Sequence, residues 1–222
     1  MMESIAGNTE ISESAKSIKP LSVLYLFLGR CFSYPEESFY EAMKGKEVVE
    51  DMGALVERLP FDVDFRGIPS PYLSLEELES EYISTLDIAM GRPLYESAYT
   101  AYRDDMCSRD IYEDLLRFYE HFKIKLNDSE KDYPDHLAVE LEFMAFLAKK
   151  EAEALDLGKD ASPYRLAQLD FLDRHLNKWV PKLDEKIQKK VNEPFYKGAS
   201  AFMTEFLKNH MLHLRRVLKK LN

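Results

Sequence analysis

Tyr133, Pro134, Asp135 and His136 stand directly ahead of an apolar run, LAVELEFMAFLAKK, that holds Glu140 and Glu142. On a helical wheel at about 100° per residue, residues 133–150 surround the axis with apolar side chains, so the helix belongs in an interior. Glu140 falls between Leu147 and Met144, Glu142 falls between Ala138 and Phe146, and His136 stands one turn before Glu140 on the same side. Both carboxylates are therefore predicted to be partly buried, where each must find a partner or take a proton. His136 and Glu140 could form an imidazole–carboxylate pair with a fixed tautomer, or a polar spot inside an aromatic groove. Pro134 at the first helical position and Asp135 in the first turn also suit the start of a helix. Residue chemistry alone favours a structural network over a binding site.

A second constellation lies in EYISTLDIAMGRPLYESAY, residues 81–99. Tyr82, Tyr95 and Tyr99 offer amphipathic rings, and Glu81, Asp87 and Glu96 offer carboxylates, a set suited to gripping a peptide with apolar and basic groups. The alternative is that these tyrosines fill the rim of a core. A binding reading requires the segment to converge on the YPDH helix start.

Enzyme templates mostly fail. The chain has no GxxxxGK[ST] phosphate loop, GxSxG elbow, HExxH helix or GxGxxG fingerprint, and only eight glycines. His210 and His213 could ligate a metal from one side of the last helix, but a basic helix end explains KNHMLHLRRVLKK more simply. A metal-dependent hydrolase built from His136, Glu140, His210 or His213 stays as the rival from another class, and a helical scaffold for a folded partner as a third. No resident cofactor or metal is expected. His175 reads as a packed histidine and Cys107 as a small helical residue.

The elements that position these residues are all helical. The chain has 222 residues, 45% of them hydrophobic, enough for a large single core. Thirty basic against forty acidic residues give a net charge of −10, which opposes nonspecific attraction to nucleic acid or anionic lipid and favours a basic partner. Two cysteines outside any CxxC pair fit a reducing compartment. No apolar stretch approaches the roughly 20 residues that a membrane span needs, so the expected location is cytoplasmic, without membrane insertion. Residues 1–19 are small and polar and are expected to fray, with one helical domain over residues 20–222. Pro20 should open the first helix, which ends near Tyr34. Helices follow near residues 37–43 and 47–59, and a proline-rich connection precedes a Ser74/Glu77 capping box that starts the next. AMGRP breaks that helix, another resumes near Met106, and KLNDSEKDY loops into the YPDH helix. Ser162 and Pro163 cap a helix carrying Phe171, His175 and Trp179 every four residues, closed by Pro181. Segments near residues 183–191 and 195–221 complete an all-α bundle of roughly eight or more helices.

With these motifs in order, residues 21–179 resemble the TorD/DmsD/NarJ family of redox-enzyme maturation chaperones. YPDHLAVELEFMAFLA is similar to the family's Pro-Asp-His-Leu signature and its following helix. EYISTLDIAMGRPLYESAY resembles the Tyr-x-x-Thr-Phe-Asp segment of the nitrate-reductase-type branch, with Leu86 in place of phenylalanine. FLDRHLNKWVP resembles the later His-Leu-x-x-Trp-x-Pro helix. The resemblance implies an all-helical fold of this type and no catalytic activity. It further implies binding of the N-terminal leader, often twin-arginine, of a molybdopterin oxidoreductase catalytic subunit, help with cofactor insertion, and contact with molybdenum-cofactor machinery. By position it implies Tyr82, Asp87, Pro134, Asp135 and His136 as site residues. Residue chemistry adds Glu96, Tyr99 and Glu140.

Overall fold

In the computed structural model, residues 15–45, 47–87, 91–100, 107–125 and 133–220 are described. They form ten α-helices and no strand, as expected for an all-α single domain. α1 spans Ala15–Cys31, α2 Glu37–Lys44, α3 Glu47–Val56 and α4 Leu75–Glu81. α5 spans Ser97–Thr100, α6 Ser108–His121 and α7 Leu137–Asp156. α8 spans Ser162–Phe171, α9 Asn177–Lys190 and α10 Pro194–Lys220.

α7 is the central helix, buried along most of its length. α1 packs along it, presenting Ile18, Leu21, Tyr25 and Leu28 at the three- and four-residue spacing of a single helix face. Each such side chain taken fully from water contributes about 1.5 to 3 kcal/mol. α8, α9 and α10 close the other side, and the fully buried Trp179 of α9 sits within the common core. α10 crosses the proline-rich connection so closely that a Cβ on Gly198 would lie 2.5 Å from Pro69 Cδ, which restricts that position to glycine. The connection is further tied by the buried Glu193 carboxylate, which accepts from the Tyr72 and Leu73 amides.

Several boundaries differ from the sequence-based expectation. α1 begins at Ala15, so residues 15–19 belong to the helix, while residues 1–14 lie outside the described part. Pro20 is accommodated inside because its missing N–H forfeits one bond near the helix start. Pro181 likewise sits within α9, where the bond lost is to the first helical residue, Asn177; the expected separate helix near residues 183–191 is part of α9. The Ser74/Glu77 capping box forms as expected. At α8 the cap shifts: Ser162 is already helical, and its amide donates to Asp160 Oδ1 at 2.9 Å. Cys107 is the exposed N-cap of α6 rather than an interior helical residue. Residue 88 at the end of the expected helix, residues 89–90 of the expected AMGRP break, Met106 at the expected start of α6, residues 126–132 of the expected polar loop and residue 221 lie outside the described residues.

Two π-helical turns interrupt the regular helices, Tyr82–Asp87 after α4 and Leu172–Leu176 between α8 and α9. The second carries Arg174 and His175 and lets α8 run on into α9 with Phe171, His175 and Trp179 all buried.

Candidate functional site

The YPDH segment is a turn ahead of α7 rather than its first turn. The His136 amide donates to the Tyr133 carbonyl, and His136 is the N-cap, its Nδ1 accepting from the Ala138 amide at 3.2 Å. That bond leaves the imidazole proton on Nε2. Residues 94–96 run antiparallel beside this turn: the Leu137 amide donates to the Leu94 carbonyl at 2.8 Å, and the Glu96 amide to the Asp135 carbonyl at 3.0 Å. The Asp135 side chain is wholly buried and Oδ2 accepts from the Ser97 amide, so it caps α5. Tyr119 of α6 donates its hydroxyl to the Pro134 carbonyl at 2.8 Å.

Around this turn the chain collects three buried carboxylates, Glu96, Asp135 and Glu140. Glu140 accepts from Trp179 Nε1 at 3.2 Å, and Tyr99 stacks on the same indole at 5.5 Å between centroids. Burial lifts the Glu140 carboxyl well above the usual range, and the Glu96 and Asp135 charges lift it further. Glu96 is raised by burial as well, but the His175 imidazole pulls the other way through a 2.9 Å contact between Nδ1 and Oε2. His175 Nε2 lies 3.3 Å from Asp114 Oδ2, off the line of a hydrogen bond. Asp114 in turn pairs with Arg174, which also reaches Asp170 at 3.1 Å.

The sequence-predicted residues therefore separate into two groups. Glu96, Tyr99, Pro134, Asp135, His136 and Glu140 come together in one hub. Tyr82 and Asp87 sit on the π-helical turn after α4, where the buried Tyr82 donates to the Phe32 carbonyl and meets Tyr34 edge-on, while Asp87 is exposed. Glu142, expected to be partly buried, is exposed. The imidazole–carboxylate pair expected of His136 and Glu140 is made instead by His175 and Glu96. His175, Asp114 and Arg174 were missed. The signal available was that a histidine on an otherwise apolar Phe171/His175/Trp179 stripe, like the indole N–H beside it, needs a buried acceptor.

The two histidines of α10 serve packing. His210 is fully buried, its Nδ1 2.8 Å from the Tyr25 hydroxyl, and burial pushes it down to about 3, so it stays neutral. His213 packs against Phe61. Among the described residues, no group of three or more His, Cys, Asp or Glu side chains is placed to hold a metal ion, and no helix is long and apolar enough to cross a membrane.

Beside the hub, α6 and α8 flank an open groove of about 880 Å³. Phe118, Phe122, Leu166, Ala167 and Leu169 give it an apolar floor. Its rim carries Asp114, Asp170 and Asp173 with Arg117, Arg174 and Arg215, and Asp173 pairs with Arg215 at 2.6 Å. Leu166 is 55% exposed there. Phe118 also packs edge-on against His175, so the groove floor rests on the buried His175–Glu96 contact.

A family model described as nitrate reductase delta subunit matches residues 46–185, which contain the hub and most of the groove. The selenate reductase assembly chaperone protein of Thauera selenatis is 34% identical over 164 residues, 74% of this chain and 75% of that protein. The chain belongs to the TorD/DmsD/NarJ family of redox-enzyme maturation chaperones. The chlorate reductase assembly chaperone protein of Ideonella dechloratans is 32% identical over 197 residues, 88% of this chain and 90% of its own length. Chaperone protein TorD of Vibrio parahaemolyticus is 28% identical over a shorter stretch of 96 residues, 43% of this chain. For this member of the family, the Pro-Asp-His motif lies at the interior junction of α5, α6, α7 and α9.

Proposed function

We propose that this chain is a non-catalytic, cytoplasmic chaperone dedicated to one client system. It binds the N-terminal leader of a molybdopterin oxidoreductase catalytic subunit and holds the subunit for cofactor insertion, in contact with the molybdenum-cofactor machinery, and for export proofreading. The observation that carries this reading is the groove between α6 and α8, apolar along its floor and charged along its rim. An apolar leader segment laid on Phe118, Phe122 and Leu166 removes their surface from water, and basic leader residues meet the rim carboxylates. Relatives named as assembly chaperones for selenate and chlorate reductases support the client class.

In this reading the motif residues act at two levels. Glu96, Tyr99, Pro134, Asp135, His136 and Glu140 set the positions of α5, α6 and α9, because Asp135 and Glu140 have no accessible surface with which to touch a peptide. Tyr82 braces the turn that presents Asp87, whose exposed carboxylate is open to a basic residue of the client.

The test is affinity capture of partners with the N-terminus kept free, followed by titration with the leader peptide of the recovered subunit. Leu166→Asp places a charge on the groove floor at an exposed position, so it is expected to weaken leader binding about tenfold or more with little change in stability. Recovery of folded proteins that bind independently of any leader would refute the reading in favour of a scaffold.

A further inference from the structure

At the outer edge of the hub, two tyrosines hold one guanidinium and a third backs one of them. The Arg92 guanidinium carbon lies 4.0 Å from the ring centroid of Tyr95 and 4.8 Å from that of Tyr133. Tyr133 stacks in turn on Tyr112 of α6, with centroids 5.8 Å apart and planes at 27°. Tyr95 packs edge-on against His136 at 4.9 Å, which fixes the cradle to the YPDH turn. Two residues on from Tyr133, Asp135 has its Oδ1 buried without a hydrogen-bond partner. Its charge reaches the cradle: burial and then Asp135 raise the Tyr112 hydroxyl, while Arg92 lowers it.

π faces near a buried negative charge make up the chemistry that selects a guanidinium, which stacks on aromatic planes and is more weakly hydrated than an ammonium. The present occupant is held by the faces of Tyr95 and Tyr133 and by hydrogen bonds to their side chains, with its outer side open to solvent. Arg92 is exposed, none of the described carboxylates pairs with it, and its backbone sits in the left-handed region at φ 58°, where a side chain bearing a β-carbon is strained. The cradle also adjoins the groove. Tyr112 and Phe118 are six residues apart on α6, about 9 Å of helix rise, which a few peptide residues span.

We propose that the Tyr95/Tyr112/Tyr133 cradle is a binding site for an arginine side chain of the client leader, and that Arg92 is a tethered placeholder which the client's guanidinium displaces. This rests on the leader-binding reading and deepens it. A placeholder keeps the rings from collapsing on each other in the free chaperone. It also lowers apparent affinity for a peptide whose arginine must enter the cradle, because only the fraction with an open cradle can take it, and it leaves a peptide that does not use the cradle nearly unaffected.

The experiment uses the full chain and two fluorescent peptides, one with paired arginines ahead of a leucine run and one with lysines in their place. Asparagine tolerates the left-handed backbone, so Arg92→Asn empties the cradle without adding strain. The wild-type chain is expected to prefer the arginine peptide. Arg92→Asn should tighten that peptide about fivefold and shift the lysine peptide less. Adding Tyr133→Leu, at a half-exposed position, should abolish the gain. If Arg92→Asn binds the arginine peptide as wild type does, or more weakly, Arg92 is a structural clamp or part of the client surface; the placeholder idea is then overturned while leader binding stands. If neither peptide binds wild type or variants, leader binding and the placeholder fall together.

Discussion

Removing Glu96 separates a structural hub from a set of peptide contacts, because its carboxylate is buried and its partner His175 is too. Glu96→Ala strips the acceptor 2.9 Å from His175 Nδ1 and leaves that nitrogen buried against Phe118 and Phe171. Breaking a buried pair from one side costs about 3 to 5 kcal/mol. The lower end, about 3 kcal/mol, applies here because Asp114 Oδ2 still lies 3.3 Å from the other ring nitrogen. For a chain of this size each kcal/mol moves Tm by about 2 to 4 °C, so a fall of roughly 6 to 12 °C is expected. Glu96→Gln keeps an acceptor and removes a charge that Asp135 and Asp114 oppose, so its cost should stay within about 1 kcal/mol. Urea and thermal unfolding of both variants at neutral pH measure the difference. Equal losses for alanine and glutamine, or a loss below about 1 kcal/mol for alanine, would refute the assignment of this pair as a structural tie.

Glu140 gives a pH signature. Its native pKa is raised above the ordinary 4.5, so the stability it contributes is full below that value and is lost as pH rises through the native pKa. Glu140→Gln keeps a neutral acceptor for Trp179 and should remove that slope, matching wild type near about pH 4.5 and exceeding it near about pH 8 in denaturant titrations. A wild-type advantage at the higher pH would show that the carboxylate is ionised in the fold. Gly198→Ala should destabilise by about 1 to 3 kcal/mol, since the contact with Pro69 outweighs the roughly 1 kcal/mol that alanine gains in a helix. Thermal unfolding checks it, and a stabilised variant would mean that the proline-rich connection moves freely away from α10.

Periodicity and punctuation made the helices legible, because apolar stripes and the Ser74/Glu77 box depend on residues a few positions apart. Prolines were over-read. Pro20 lies near the start of its helix and Pro181 about one turn after the π-helical turn at Leu172–Leu176, so each forfeits a single bond where the ladder begins or shifts. Glu140 was placed correctly inside, but Glu142, on the opposite side of the wheel, was not, since a helix apolar on every side gives little indication of which polar residue faces out. His175 and Asp114 were illegible for another reason. Their partners Glu96 and Arg174 come from segments 79 and 60 residues away, joined only once α6 and the π-helical turn at Leu172–Leu176 are packed.

The manner in which α6 is held gives the buried polar groups a structural task. One wall of the groove is α6, and it docks through the Tyr119 hydroxyl on Pro134, the stacking of Tyr112 on Tyr133, and the Asp114 contacts with Arg174 and His175. Apolar packing alone tolerates sliding of a helix along its neighbours, whereas these directional contacts fix both its height and its rotation. Arg174 and Asp114 also stand on the groove rim, so the hydrogen bonds that set the width of the groove end among the charges that face a bound segment. A client residue that draws Arg174 or Asp114 away would loosen the tie to His175, and through Glu96 the antiparallel contact with the YPDH turn. If the leader binds at the groove as proposed, binding and order in the motif would form one equilibrium, and substitutions in wholly buried motif residues would register in leader affinity without touching the leader.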